Sequence, residues 1–217
     1  AASYAGLSDF KDGPTHFAVT DIANMRALPN MTVIVPCDAA QAADFVRLVA
    51  EFEGPVYLRI NRGSTLPVHQ PGSELKIGKG ILRKEGGDLT IIATGSMVGR
   101  ALLAAQELEN EGIQARVVEI HTIKPLDREI ILQAAEETGA LVTAEEHARI
   151  GGLGSAVAEL LVETNPVPME RVGIGDAFCP TGRNVDTLLD ACGLSVTDIF
   201  QAAKKALIRK NGKLEVK

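Results

Sequence analysis

The chain has 217 residues, 46% of them apolar and 23% charged, the balance of a folded protein with room for one large domain or two smaller ones. Its 28 acids against 22 bases leave a net charge of −6, which argues against nucleic acid as a partner. No apolar run reaches membrane-spanning length and no signal pattern opens the chain, so no membrane is expected.

Near the start, Asp12-Gly13-Pro14-Thr15-His16 packs an acid, a free-turning glycine, a rigid proline, a hydroxyl and an imidazole into five residues. The following run, Phe17 to Arg26, reads as a helix, so the five residues are expected to enter a helix N-terminus. Ordinary turn chemistry, with Thr15 as the helix cap, stands beside a catalytic reading of this loop. From Met31 to Ile60 a β-α-β pattern follows. Met31–Val35 and Val56–Ile60 read as buried strands, and a helix from Ala39 to Glu53 places Phe45, Leu48, Val49 and Phe52 on one face. A helix between two buried strands implies parallel pairing. Gly63 to Gly80, punctuated by Gly63-Ser64, Pro67 and Gln70-Pro71-Gly72-Ser73, reads as a linker.

The second half repeats the alternation. Strands are expected at Leu89–Thr94, Ala115–Ile120, Ala140–Glu145 and Arg171–Ile174. Helices are expected at Met97–Glu111, with Met97, Ala101, Ala104 and Leu108 buried, from the Asp127 cap to Glu137, and at Leu153–Glu163, Val185–Ala191 and Thr197–Ile208. This order predicts a mostly parallel sheet covered on both faces. Gly151-Gly152-Leu153-Gly154 opens a helix after a strand, but GxGxxG from Gly152 would need glycine where Val157 stands, so helix-start packing is the better reading. His147 reads as part of a loop, at a subunit contact. His69 and His121 carry no functional signal, and Thr181-Gly182-Arg183 reads as a turn. Cys37, Cys179 and Cys192 form no CxxC or Cys/His cluster, so neither a disulfide framework nor a zinc site is expected, in keeping with a reducing cytoplasm.

Asp12-Gly13-Pro14-Thr15-His16, Asp21-Ile22-Ala23, Met25 to Met31 and Val33 to Asp38 closely resemble the pyrimidine-binding domain of transketolases, above all the split type in which a separate subunit carries it. Ala93-Thr94-Gly95-Ser96, Ile123 to Asp127, Val142 to His147 and Ile150 to Glu159 resemble the family's C-terminal domain, so the likeness runs from about Ser3 to Arg209. The resemblance implies an α/β chain. Residues 1–66 would be the C-terminal part of a thiamine diphosphate pyrimidine-binding domain, 67–80 a linker, 81–209 the C-terminal domain and 210–217 a tail.

The same resemblance implies transfer of a two-carbon ketol unit between sugar phosphates. His16 falls on the family's active-site histidine, Asp12 on the acid that binds a substrate hydroxyl, and Arg62 on the phosphate-binding arginine. Arg59, three residues earlier, would face away from Arg62 if the strand stayed regular, and is a weaker phosphate candidate. Tyr4 stands where many transketolases carry a second histidine for the phosphate, and Phe10-Lys11 replaces the usual Gly-Glu. The resemblance implies a place in the pentose phosphate pathway; these departures set beside it the alternative of a specialised transketolase acting on a different sugar phosphate.

The family's activating glutamate and its Gly-Asp-Gly…Asn signature are not in this sequence. Thiamine diphosphate and Mg2+ are therefore expected in a complete assembly, with neither held tightly by this chain alone. The implied partner is an N-terminal subunit or domain carrying the diphosphate site, in a homodimer or heterotetramer. Activity of this chain by itself is not expected. A 1-deoxyxylulose-5-phosphate synthase is the enzymatic alternative, favoured slightly by Arg59-Ile60-Asn61-Arg62-Gly63; a non-catalytic binding or dimer-forming module is the alternative of another class.

Overall fold

A computed structural model describes residues 1–63 and 65–212; the Ser64 position within the expected linker and the last five residues of the expected tail lie outside them. Strand β1 (Thr32–Ile34), helix α2 (Ala39–Ala50) and strand β2 (Val56–Leu58) form the expected parallel β-α-β unit, with Val33 opposite Tyr57. Asp38 caps α2, its carboxylate accepting the Gln41 N–H at 2.9 Å. Helix α1 (Asp21–Ala27) precedes the unit. It starts later than Phe17 because Ala18 pairs with Ala5 and Gly6, which holds the preceding residues out of the helix. The Asp12–His16 loop therefore does not enter a helix N-terminus; Pro14–His16 is a single 3-10 turn followed by extended Phe17.

In the second half, β3 (Ile81–Lys84) is an antiparallel edge strand that periodicity does not reveal. It joins β4 (Leu89–Ala93), β5 (Ala115–Glu119), β7 (Leu141–Ala148) and β8 (Met169–Ile174) in the order β3-β5-β4-β7-β8, parallel apart from β3. Successive residues of β4 send side chains to opposite faces. Ile91 packs with Met97, Ala101 and Ala104 of α3 (Met97–Asn110) and Ile199 of α7 (Val196–Lys210). Ile92 packs with Ile131 of α4 (Arg128–Thr138) and Val157 of α5 (Leu153–Val162). Helix α6 (Val185–Ala191) adds Leu188 and Leu189 to the first of these layers.

The short strand β6 (Thr122–Lys124) leaves this sheet and pairs antiparallel with β1, giving a second sheet ordered β2-β1-β6. Val33 and Val35 consequently share one core with Ile92, Val118 and Leu153. The segment expected as a linker separates two sheets in sequence, while β6 and this common core join them in space. Phe45 fills the outer face of the smaller sheet with Ile34 and Leu58, whereas Phe52 lies beyond the end of α2 and is 37% exposed.

One expectation about cysteine is corrected. Cys179 and Cys192 form a disulfide across 13 residues, with Cα atoms 6.0 Å apart, because the turn after β8 folds back beside the end of α6. Cys37 is the free, buried thiol.

Candidate active site

The first residues lie along the open edge of β2. The Ala2 N–H donates to Leu58 O at 2.9 Å, Ile60 N–H to Ala2 O at 2.8 Å, and Ala5 N–H to Ile60 O at 3.1 Å. Between these bonds Tyr4 is held at φ 67°, a left-handed conformation that costs a non-glycine residue ~1–3 kcal/mol. The strained turn sets the Tyr4 ring 4.7 Å from the Arg62 guanidinium. Gly6 also has positive φ, at 59°, and a Cβ there would overlap the Glu146 carboxyl. Glycine is required on both counts.

Glu146 is the hub of this region and is 3% exposed. One carboxylate oxygen accepts the Leu7 N–H at 2.6 Å; the other accepts Asn61 Nδ2 at 3.2 Å and the Ser96 hydroxyl. Its carbonyl accepts Arg59 Nη2 at 3.1 Å. Arg59 also grips Asp21 through Nε at 2.7 Å and Nη2 at 3.2 Å, and donates to Ala18 O at 2.8 Å. Burial pushes the Asp21 carboxyl up, but the Arg59 charge and the hydrogen bonds from Arg59 and the Tyr57 hydroxyl outweigh it and leave Asp21 below the usual carboxylate range. Arg59 is thus consumed by an internal ion pair and is corrected as a candidate for substrate phosphate.

Asp12, Thr15 and His16 are exposed. The His16 N–H closes the 3-10 turn onto Gly13 O at 2.9 Å, and the Thr15 hydroxyl meets His16 Nδ1 at 3.0 Å. Behind the loop, Gly182 N–H donates to Phe10 O at 2.8 Å, and a Cβ on Gly13 would stand 2.9 Å from the Thr181 methyl. The Thr181-Gly182 turn is therefore a buttress for the loop. Asp9, unremarked in the sequence, connects loop to strand: its carbonyl accepts the Asp12 N–H at 3.2 Å and its carboxylate pairs with Arg62 Nη1 at 2.8 Å. Arg62 remains about half exposed. A cleft of about 400 Å3 is lined by Ser8, Phe10, Asn61, Leu66, Arg100 and Glu146, and includes none of Asp12, His16 or Arg62. A larger cavity, about 550 Å3, opens by Cys37, Asp38, Pro67 and His69, and it too includes none of the three.

Residues 2–67 match the family model for the transketolase pyrimidine binding domain, and residues 78–199 match that for the transketolase C-terminal domain. The chain belongs to the transketolase family. It is 46% identical over 207 residues to a 6-deoxy-6-sulfo-D-fructose transketolase subunit of Clostridium sp. strain MSTE9, covering 95% of this chain and 64% of that protein. It is 43% identical over 204 residues to 1-deoxy-D-xylulose-5-phosphate synthase 1 of Geobacter sulfurreducens, covering 90% of this chain and 32% of that one. Among solved structures, a split gene transketolase described as an inactive beta4 tetramer superposes with a TM-score of 0.88 at 48% identity, covering 96% of this chain and 66% of the other. The chain thus spans less than two thirds of the length of each of these relatives.

Transketolases use thiamine diphosphate, and the Gly151–Gly154 turn at the start of α5 is the place where a helix N-terminus could meet a diphosphate. The chain's own Glu145 already fills it, accepting the Leu153 N–H at 2.7 Å and the Gly154 N–H at 2.8 Å, and a Cβ on Gly152 would overlap that carboxyl. These residues do not fit the diphosphate. Among the described residues no group of three or more His, Cys, Asp or Glu side chains could hold a metal ion. His147 is corrected as well: it lies inside β7, fully buried, with Nε2 accepting the Ala23 N–H at 3.3 Å and Nδ1 against Ala148 O at 2.7 Å. Burial holds its pKa below the usual histidine range.

Two outcomes test this framework. Arg59→Ala leaves the Asp21 carboxylate without its cation and is expected to cost ~3–5 kcal/mol in urea unfolding; a loss under about 1 kcal/mol, the scale of an exposed ion pair, would contradict the assignment. Burial pushes the Glu145 carboxyl up to about 7 against an ordinary 4.5, the two N–H donors opposing the shift. Because the folded value is the higher one, the folded state holds that proton more tightly. Its contribution to stability is complete below about pH 4.5 and is lost as pH rises through 7. Unfolding curves across that window should show the decline in wild type and its absence in Glu145→Gln.

Proposed function

We propose that the chain is the C-terminal portion of a split transketolase and forms the substrate-contacting wall of its active site. The observation that carries this reading is the way Asp9 ties the Asp12–His16 loop to Arg62, so that an exposed acid, an exposed imidazole and a half-exposed guanidinium share one frame. The identity to a transketolase subunit supports it.

In the complete assembly thiamine diphosphate supplies the carbon nucleophile and the electron sink, from residues other than those described here. This chain's residues act on the sugar. Asp12 accepts a hydrogen bond from a substrate hydroxyl and so fixes the carbon chain. His16 Nε2 gives or takes a proton at the hydroxyls beside the bond being made or broken, a task suited to imidazole near neutral pH. Arg62 pairs with the terminal anionic group through charge-assisted hydrogen bonds. The donor is a ketose carrying such a group, and sugars outside the pentose phosphate pathway fit the Tyr4 and Phe10-Lys11 departures best. Cofactor, Mg2+ and the remaining wall come from an N-terminal subunit or domain and from the regions of the relatives that this chain does not span, in a homodimer or heterotetramer.

The test is a ketol-transfer assay on the full-length subunit mixed with its cofactor-binding partner, thiamine diphosphate and Mg2+. Transfer is expected, and His16→Ala should lower kcat by ~100-fold or more. Condensation of pyruvate with glyceraldehyde phosphate, with no ketol transfer, would replace this reading with the synthase. Silence in both assays would leave a non-catalytic module.

A further inference from the structure

Under the ketol-transfer reading, on which this inference rests, Arg62 meets the charged end of the sugar. Its surroundings are poor for a phosphate. Asp9 is 7% exposed and holds its carboxylate 2.8 Å from Arg62 Nη1. Backbone and hydroxyl bonds fix it there. The Asp9 carbonyl accepts Asp12 N–H, and the neighbouring Ser8 hydroxyl donates to Ala5 O at 2.8 Å while accepting the Arg62 N–H at 3.2 Å. Tyr4, beside the guanidinium, offers one neutral O–H and no charge. The neighbouring Lys11 lies over the Phe10 ring, at 5.6 Å.

Arg62 opposed by the fixed Asp9 carboxylate favours an end group bearing a single negative charge. A phosphate monoester carries roughly −1.5 to −2 at neutral pH, so Asp9 repels it more strongly than a monoanion. A sulfonate carries one charge on three oxygens and can take two guanidinium N–H groups in parallel. We propose that Asp9 is a specificity-determining residue that makes this end of the site select ketoses with a singly charged sulfonate terminus over their phosphate esters. Asp9 acts through Arg62, with Tyr4 keeping a second cation out of the position it occupies.

The experiment uses the assembled enzyme and three donors of one ketose skeleton, ending in 6-phosphate, 6-sulfonate or 6-hydroxyl. Both kcat/KM for ketol transfer and calorimetric Kd are measured. Wild type is expected to favour sulfonate over phosphate by about tenfold or more, and Asp9→Asn to move that ratio toward phosphate by a similar factor. The hydroxyl donor should change little between the two proteins. Tyr4→His should shift the ratio in the same direction as Asp9→Asn. A phosphate preference in wild type, or a ratio unmoved by Asp9→Asn, would overturn the proposal even with ketol transfer intact. If no donor reacts but the calorimetric ratio moves as expected, the recognition inference stands and the ketol-transfer reading fails.

Discussion

The buried carboxylate of Glu146 is the constraint on which the site depends. An ionisable group removed from water must be paired or fully hydrogen-bonded, and this one is satisfied only by groups far away in sequence: the Leu7 N–H, the Asn61 amide and the Ser96 hydroxyl. Leu7 begins the segment that leads to Asp12 and His16, Asn61 adjoins Arg62, and Ser96 is the N-cap of α3. Satisfying one acid therefore fixes the Asp12–His16 loop, the Arg62 end of the strand and the C-terminal lobe against one another. Gly6 is the local condition for it, since any larger residue would push the acid away.

A second polar link works in the same manner. Glu119, fully buried at the end of β5, accepts Gln41 Nε2 of α2 at 2.6 Å and Arg83 Nε of β3 at 2.6 Å. Together with β6 crossing into the smaller sheet, these contacts tie the two halves to each other. The exposed Asp12–His16 loop is thus carried by rigid elements, as a preorganised site needs. The larger lobe contributes support: Thr181 and Gly182 stand behind the loop while Glu145 closes the start of α5.

Much of this was legible locally. Short apolar runs marked β1, β4, β5 and β8, and Met97, Ala101, Ala104 and Leu108 all proved fully buried. The Asp12–His16 cluster and Arg62 stood out by their chemistry. What local pattern hid were features determined by distant partners. The strand β7 runs on past Glu145 through Glu146 and His147, which read as a loop until Leu7 and Ala23 are seen to satisfy them. Arg59 looked like a spare cation until Asp21, from a helix nearly forty residues earlier, claimed it. β3 and β6 are short and partly charged, and exist because neighbouring edges accept them. Asp9 carried no motif at all; its importance is purely a matter of where Arg62 arrives.

As proposed, this chain supplies the wall that touches the sugar. A crystal structure of the assembled enzyme with a ketose donor bound tests it most directly. Donor hydroxyls are expected within hydrogen-bond distance of His16 Nε2 and the Asp12 carboxylate, with the terminal anion on Arg62. A donor bound and turned over with Asp12, His16 and Arg62 all beyond contact would contradict it.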